Sequence, residues 1–293
     1  MLGLKAPRFE VCCVKLAYMM TTPEAGTMPL CWGGAAPEYI LGRVAEIGYE
    51  GIELQTRDVG AFDGAAFERM VRDAGLTITA VSTGPTGSAD SLYFMSPDPA
   101  IRERAIERFT GALKLAAQYG VHATIGNLRG FAKWAPDRET GLGWFRAALE
   151  RLLEVSERVG APILLEPQNR YQTDVLNTVA ETLAFIDEFG GSPQLIVEVD
   201  LYHMALEEKS LLAALVEARA SGRMNYVQLG DSNRLAPGWG SFNWVDIIET
   251  LKATKYESWL AMEFTQKPDS ETCAKHAYAF IRPLLDGPQG SSK

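Results

Sequence analysis

The feature that most limits how this chain can fold is a repeated local grammar. An amphipathic stretch ends in glycine, and a short apolar run rich in β-formers begins within a few residues. The glycines are Gly48, Gly75, Gly120, Gly160, Gly190 and Gly222. Glycine suits the position after a last helical turn because it enters the left-handed region without a Cβ clash. The runs that follow cover residues 51–55, 77–82, 123–126, 162–166, 195–200 and 225–230; runs at 10–17 and 259–264 bring the number to eight. Helical periodicity falls at 37–47, 63–74, 99–119, 142–159, 178–189, 211–220, 244–253 and 270–285. Asp63, Asn177 and Asn243 suit helix caps, and Pro37 and Pro99 suit first turns. Strict alternation predicts a parallel sheet, and eight units predict closure into a single-domain α/β fold, the (β/α)8 TIM barrel, over residues 1–285, with a mobile tail at 286–293. The structural rival is a doubly wound open sheet, but the glycine-rich phosphate loop usual after its first strand is missing.

Loop lengths are asymmetric. Helix-to-strand links are short, whereas the strand-to-helix segments 18–36, 83–98, 127–141 and 231–242 are long. In such a barrel the long loops gather at the C-terminal face, where active sites lie. Tyr18, Trp32, Tyr93 and Phe94 fall in two of these segments, so some of them are expected to cover the mouth as a lid.

Strand side chains alternate between faces, so the last inward residue of each strand can be read off. Ile-Leu-Leu-Glu ends on Glu166, and Val-Glu-Val-Asp ends on Asp200. Tyr-Val-Gln-Leu-Gly carries Gln228, and Leu-Ala-Met-Glu-Phe carries Glu263. Four polar groups thus end four successive strands that neighbour one another at the mouth. Close carboxylates repel, and burying them without a counter-charge is costly. A divalent cation removes both costs. The donors are three carboxylates and one amide, a hard oxygen set that favours Mn²⁺ or Mg²⁺. Arg170 and Arg234 are the main basic residues near these strand ends. Of three histidines, only His203, three residues after Asp200, falls on a mouth loop; it is expected to contact a substrate hydroxyl.

Composition narrows the function. Net charge is −9, from 28 basic and 37 acidic residues, which argues against a general binder of nucleic-acid backbone. The four cysteines, Cys12, Cys13, Cys31 and Cys273, form no C-x-x-C pair and read as reduced thiols. The apolar stretch 11–20 contains Lys15 and lacks a secretory cleavage pattern, and no run is long enough to span a membrane. A cytoplasmic enzyme acting on a small molecule is expected, without membrane or nucleic-acid partners; it could form a homo-oligomer or pair with a partner subunit.

Three motifs carry a resemblance over most of the chain: Ile-Gly-Asn-Leu-Arg-Gly at 125–130, Glu-Pro-Gln-Asn-Arg-Tyr at 166–171 and Asp-Ser-Asn-Arg-Leu-Ala-Pro-Gly-Trp-Gly at 231–240. At these residues the sequence resembles the sugar-phosphate isomerase/epimerase superfamily, the xylose-isomerase-like barrels. The resemblance implies a metal held by Glu166, Asp200, Gln228 and Glu263, with His203 and Arg234 binding the sugar. Gln228 stands where the ketose 3-epimerases of this group carry His, an arrangement similar to hydroxypyruvate isomerases. Gln172 stands where those epimerases carry a second Glu that contacts the substrate. The endonuclease branch uses many histidines, and three do not suit it. The expected activity is a metal-dependent sugar isomerase or epimerase, with Glu166 and Glu263 moving a proton next to a carbonyl and Gln172 touching a hydroxyl. The alternative is a lyase or dehydratase on an oxo-sugar, oxo-polyol or oxo-glycoside, which the two Gln departures favour. A metal-free binding scaffold is a third class, opposed by the cost of an unfilled acidic cluster.

Overall fold

A computed structural model describes residues 14–287. Eight strands run in chain order: β1 Lys15–Thr21, β2 Gly51–Gln55, β3 Thr77–Ser82, β4 His122–Ile125, β5 Ile163–Leu165, β6 Leu195–Asp200, β7 Met224–Leu229 and β8 Trp259–Met262. Each pairs in parallel with the next, and β1 pairs with β8, so the sheet closes. The helices are α1 Pro37–Ile47, α2 Gly64–Asp73, α3 Gly84–Asp90, α4 Pro99–Tyr119, α5 Arg138–Val159, α6 Val179–Asp187, α7 Leu201–Glu207, α8 Leu211–Ala220, α9 Trp244–Ala253 and α10 Ser270–Asp286. The alternation predicted from the sequence is therefore the fold: a single-domain TIM barrel.

The local chemistry explains the boundaries. The two longest helices, α4 and α5, end on Gly120 and Gly160 at φ of 68° and 77°, where a Cβ would be strained. Side-chain caps start α2 at Asp63 and α9 at Asn243. The expected cap Asn177 is displaced by Thr178, whose hydroxyl accepts from the Glu181 N–H; the Asn177 amide instead donates to the Gln168 and Thr173 carbonyls.

Three expectations change. The first strand reaches Thr21, four residues beyond its predicted end, because its pairing with β2 runs on to Thr21 and Gln55; the part of it predicted before residue 14, with Cys12 and Cys13, lies outside the described residues. Helices α3 and α7 were not expected. The first has two glycines and a proline in seven residues, and the second follows its strand with no loop between. The last helix includes Asp286, held by an ion pair to Arg282, and residues 288–293 of the predicted tail lie outside the described residues.

Apolar packing occupies two zones. One lies between strands and helices, with Phe94, Phe109, Phe145 and Phe185 among its larger members. The other fills the barrel, where Ala17, Ala80 and Ala261 are small enough to accommodate Leu164 and Tyr226. Inward positions one step further along the strands are polar: Glu53, Ser82, Thr124, Glu198, Asp200 and Gln228, all buried. Polar groups thus begin part-way up the barrel and reach the mouth. Cys31 and Cys273 are buried and unpaired.

Candidate active site

The mouth is built from strand ends. Glu166 follows β5, Asp200 ends β6, Gln228 sits near the end of β7, and Glu263 follows β8. Asp200 divides its two oxygens. Oδ1 accepts from the Tyr202 N–H at 2.8 Å and so caps α7, while Oδ2 is buried without a hydrogen-bond partner in the protein. Because α7 starts at once, His203 lies one turn above Asp200 on the same face. Its Nε2 is 3.4 Å from Glu166 Oε1 and 3.5 Å from Asp200 Oδ2. Ligand atoms of Glu166, Asp200 and His203 all lie within 4.8 Å of one another, the one such group of three or more among the described residues.

The tautomer of His203 follows from its other nitrogen. Nδ1 faces the backbone N–H of Asn169 at 3.3 Å and the Asn169 side-chain amide at 2.7 Å. Asn169 Oδ1 is engaged by the Tyr171 N–H at 3.0 Å, which orients its NH₂ towards the ring. Nδ1 is therefore an acceptor, and the proton of the neutral ring sits on Nε2. Burial, and then Arg234 and Arg129, push the imidazole well below its usual pKa. The ring offers the mouth an N–H donor rather than a lone pair for a metal.

The other predicted residues are arranged less symmetrically. Arg234 Nη2 donates to Glu263 Oε1 at 3.0 Å and lies 3.9 Å from Asp200 Oδ2. The loop carrying Arg234 is held by Asp231, which accepts from the Ser232, Gly238 and Phe242 N–H groups and from Trp244 Nε1. Arg234 itself sits at φ 60°. Gln228 Nε2 donates to Glu53 Oε1 at 2.8 Å, leaving Oε1 buried and unpartnered. Gln172 lines the cavity. Arg170, a candidate partner for the acids, instead turns outward to Glu207.

Four contributors lay outside the sequence expectation. Arg129, fully buried, donates to the Gly126 carbonyl at 3.1 Å and to the Glu166 carbonyl, placing positive charge behind that strand end. Gln168 Nε2 donates to Glu166 Oε2 at 2.7 Å. Gly126 is required for close approach, since a Cβ there would meet Glu166 Oε2 at 2.5 Å. Glu53 is the fourth. Arg129 lies in the 125–130 motif, so its signal was a basic residue just beyond β4; Glu53 and Gln55 form a polar i, i+2 pair on β2.

The lid expectation fails for most of its aromatics. Tyr18 is a β1 residue whose hydroxyl donates to Gln266 Oε1 at 2.7 Å. Phe94 is core, packed on Phe109 and Phe145. Trp32 is buried against Tyr18, and Tyr93 packs on Trp134. The first long loop does reach the mouth, but through Met28 and Leu30.

A cavity of about 80 Å³ opens here, lined by Gln55, Ser82, Asn127, Gln168 and Thr124 in addition to Glu166, Gln172, Gln228, Arg234 and Glu263. Burial is the main influence raising the Glu166 and Asp200 carboxyls, with repulsion from Glu263 next. Buried oxygens without protein partners include Glu166 Oε1, Asp200 Oδ2 and Gln228 Oε1, and beside them Thr124 Oγ1, Asn127 Oδ1 and Gln168 Oε1 of the lining and oxygens of Glu53 and Glu198 below. Unsatisfied hard donors beside mutually repelling acids fit a divalent cation.

The family profile of the xylose isomerase-like TIM barrel matches residues 41–284. The chain belongs to this family. Similar proteins include an L-ribulose 3-epimerase of Mesorhizobium japonicum, 30% identical over 267 residues that cover 83% of this chain and 86% of the relative. A D-psicose 3-epimerase of Enterocloster bolteae is 31% identical over 232 residues, 75% of this chain and 74% of the relative. A 3-dehydro-D-guloside 4-epimerase of Escherichia coli is 34% identical over 116 residues, 40% of this chain and 43% of the relative. The structure of D-psicose 3-epimerase from Clostridium cellulolyticum with D-tagatose superposes at a TM-score of 0.76 and 22% identity, covering 94% of this chain and 100% of that one, a likeness of fold. This xylose-isomerase-like barrel is an enzyme of the isomerase/epimerase class. No helix among the described residues is long and apolar enough to cross a membrane.

Proposed function

We propose that this enzyme epimerises or isomerises an unphosphorylated sugar by moving a proton at the carbon next to its carbonyl. The observation that carries the reading is that Glu166 and Glu263, from the ends of β5 and β8, line one cavity. A carbon held between them presents opposite faces to the two carboxylates. Proton removal by one and return by the other inverts that carbon, whereas transfer along one face isomerises. The Nε2–H of His203 donates to a substrate oxygen, and Arg234 presents its planar fork to another. Gln172 hydrogen-bonds a hydroxyl but exchanges no proton, since an amide does not ionise.

Glu166, Asp200, Gln228 and Glu263 would hold Mn²⁺ or Mg²⁺, the ions that suit an all-oxygen set. When bound, such an ion supplies positive charge to the substrate carbonyl and keeps the carboxylates ionised. Gln168 and the Glu53-bound amide of Gln228 orient their neighbours at the mouth.

The lining also bears on the substrate. Its amides and hydroxyls, Gln55, Ser82, Asn127 and Gln168, match sugar hydroxyls. Arg234 is the one cationic side chain of the lining, and its Nη2 is shared with Glu263, so a phosphate dianion would meet a single, partly neutralised cation there. Free ketoses are the first candidates. An oxidised glycoside is the second, favoured by Gln172 in the lining and by the 116-residue likeness to a guloside epimerase.

The test is product analysis by NMR after incubating the Mn²⁺-loaded enzyme with free ketoses and with oxo-glycosides. The expected product keeps the substrate's formula and differs at one carbon or in carbonyl position. An unsaturated or shortened product would make the enzyme a lyase and refute this reading.

A further inference from the structure

We infer that Glu53, a β2 residue on no motif, is a positioning residue that forces Gln228 to present its carbonyl oxygen to the metal at the mouth. The inference rests on the metal site proposed above and concerns how that site is kept in its binding form.

A primary amide has two ends of similar shape and opposite polarity, and only its oxygen can ligate a cation. Something must therefore choose the end that faces the mouth. Gln228 and Glu53 approach each other across the barrel from β7 and β2, and both are buried. Glu53 Oε1 receives two donors, the Ser82 hydroxyl at 2.5 Å and Gln228 Nε2 at 2.8 Å. With the amide turned over, its oxygen would face a carboxyl oxygen that already serves as an acceptor. Two acceptors at hydrogen-bond distance in a buried setting repel, so the flipped form is disfavoured. The NH₂ is thus committed to Glu53, and Oε1 is left buried with no protein partner. A guanidinium from the protein could satisfy that oxygen, but Arg234, the one cation of the cavity lining, makes its hydrogen bond to Glu263 and none to Gln228.

Ser82 fixes Glu53 in turn. Register places Ser82 beside Gln55 on the neighbouring strand, so its hydroxyl reaches the same carboxyl that Gln228 uses. The chain Ser82–Glu53–Gln228 crosses the barrel interior beneath the cavity and ends on an oxygen that awaits a cation. Gln228 on its own would be an ambiguous ligand; with Glu53 it acts as a fixed one.

The experiment measures Mn²⁺ affinity of the full chain by calorimetry, with thermal melting as a folding check. Glu53→Gln lets the amide at 228 turn over and is expected to weaken Mn²⁺ binding by about 10- to 100-fold. Glu53→Asp keeps the carboxyl but withdraws the acceptor by one carbon, and a loss of similar order shows that the position of the acceptor is what matters. It also serves should Glu53→Gln fail to fold. The exchange Glu53→Gln with Gln228→Glu puts an oxygen at the mouth whichever way the group turns, and should return affinity to within about threefold of the original. Unchanged affinity in Glu53→Asp, or no recovery in the exchanged pair, overturns the inference and leaves the metal site standing. An unsubstituted chain that binds no Mn²⁺ overturns both.

Discussion

The two halves of the barrel contribute different things to the mouth. Strands β5 to β8 deliver the three acids and the amide proposed to ligate a metal, Glu166, Asp200, Gln228 and Glu263, at or just beyond their last residues. Strands β1 to β4 and their loops supply the frame: Glu53 and Ser82 beneath Gln228, and Gly126 and Arg129 against Glu166. Glu166, Asp200 and Gln228 each keep an oxygen without a protein partner, whereas Arg129 donates to the Glu166 carbonyl and Glu53 accepts from the Gln228 amide. The difference teaches that a reactive edge and its scaffold can be separated within one closed sheet. Loss from the reactive half should cost activity, and loss from the frame should cost stability or ligand orientation.

The largest effect expected is on the reactive half. Asp200→Asn should lower bound metal and turnover together, turnover by at least about 100-fold, with little change in melting temperature. Full metal occupancy in that variant would remove Asp200 from the site. Next comes the frame. Arg129→Met leaves the buried Gly126 and Glu166 carbonyls without their donor, and urea unfolding should show a loss of about 3 kcal/mol. Unchanged stability would blur the division between the halves.

His203 sharpens the comparison because it faces the acids without being one of them. His203→Gln should raise KM by about tenfold, the worth of one hydrogen bond, and leave Mn²⁺ affinity unchanged. A matching loss of metal would mean that the ring ligates after all.

The smallest effect is a pH slope from His122 on β4, whose ring packs edge-on to Tyr226 at 5.9 Å. Burial lowers its pKa from 6.5 to about 4. Between those values the unfolded chain binds a proton that the folded chain refuses. Stability from this group is thus full above about pH 6.5 and falls as the pH drops towards 4. The ring is partly exposed, so the loss at pH 5 is about 1 kcal/mol. His122→Asn should flatten that slope in denaturation curves taken from pH 7 to 5.

The same division explains what the sequence made legible. Glu166, Asp200 and Glu263 each end an apolar run, and a buried acid in that position has few other uses. The frame gave a weaker signal. Glu53 sits inside Gly-Ile-Glu-Leu-Gln, which reads equally well as a half-exposed strand with its polar face outward. Arg129 stood in a quoted motif, yet nothing in one dimension shows that a loop arginine folds back onto the next strand's carbonyl. The lid aromatics failed for a related reason: Phe94 lies in a long loop, but that loop dips into the layer between α4 and α5. Loop length located the mouth, while the depth of each side chain depended on packing. The tautomer of His203 depends on Asn169, which the chain brings to it from 34 residues away.

The central claim is that two carboxylates lining one cavity move a proton at a carbon beside a carbonyl. The most direct test is solvent exchange, with a turned-over keto sugar incubated in heavy water with the Mn²⁺-loaded enzyme and followed by NMR. The account predicts deuterium at the carbon next to the carbonyl, with incorporation lost in both Glu166→Gln and Glu263→Gln even at a Mn²⁺ concentration that refills the weakened site. Undiminished exchange in the metal-bound Glu263→Gln enzyme would contradict it.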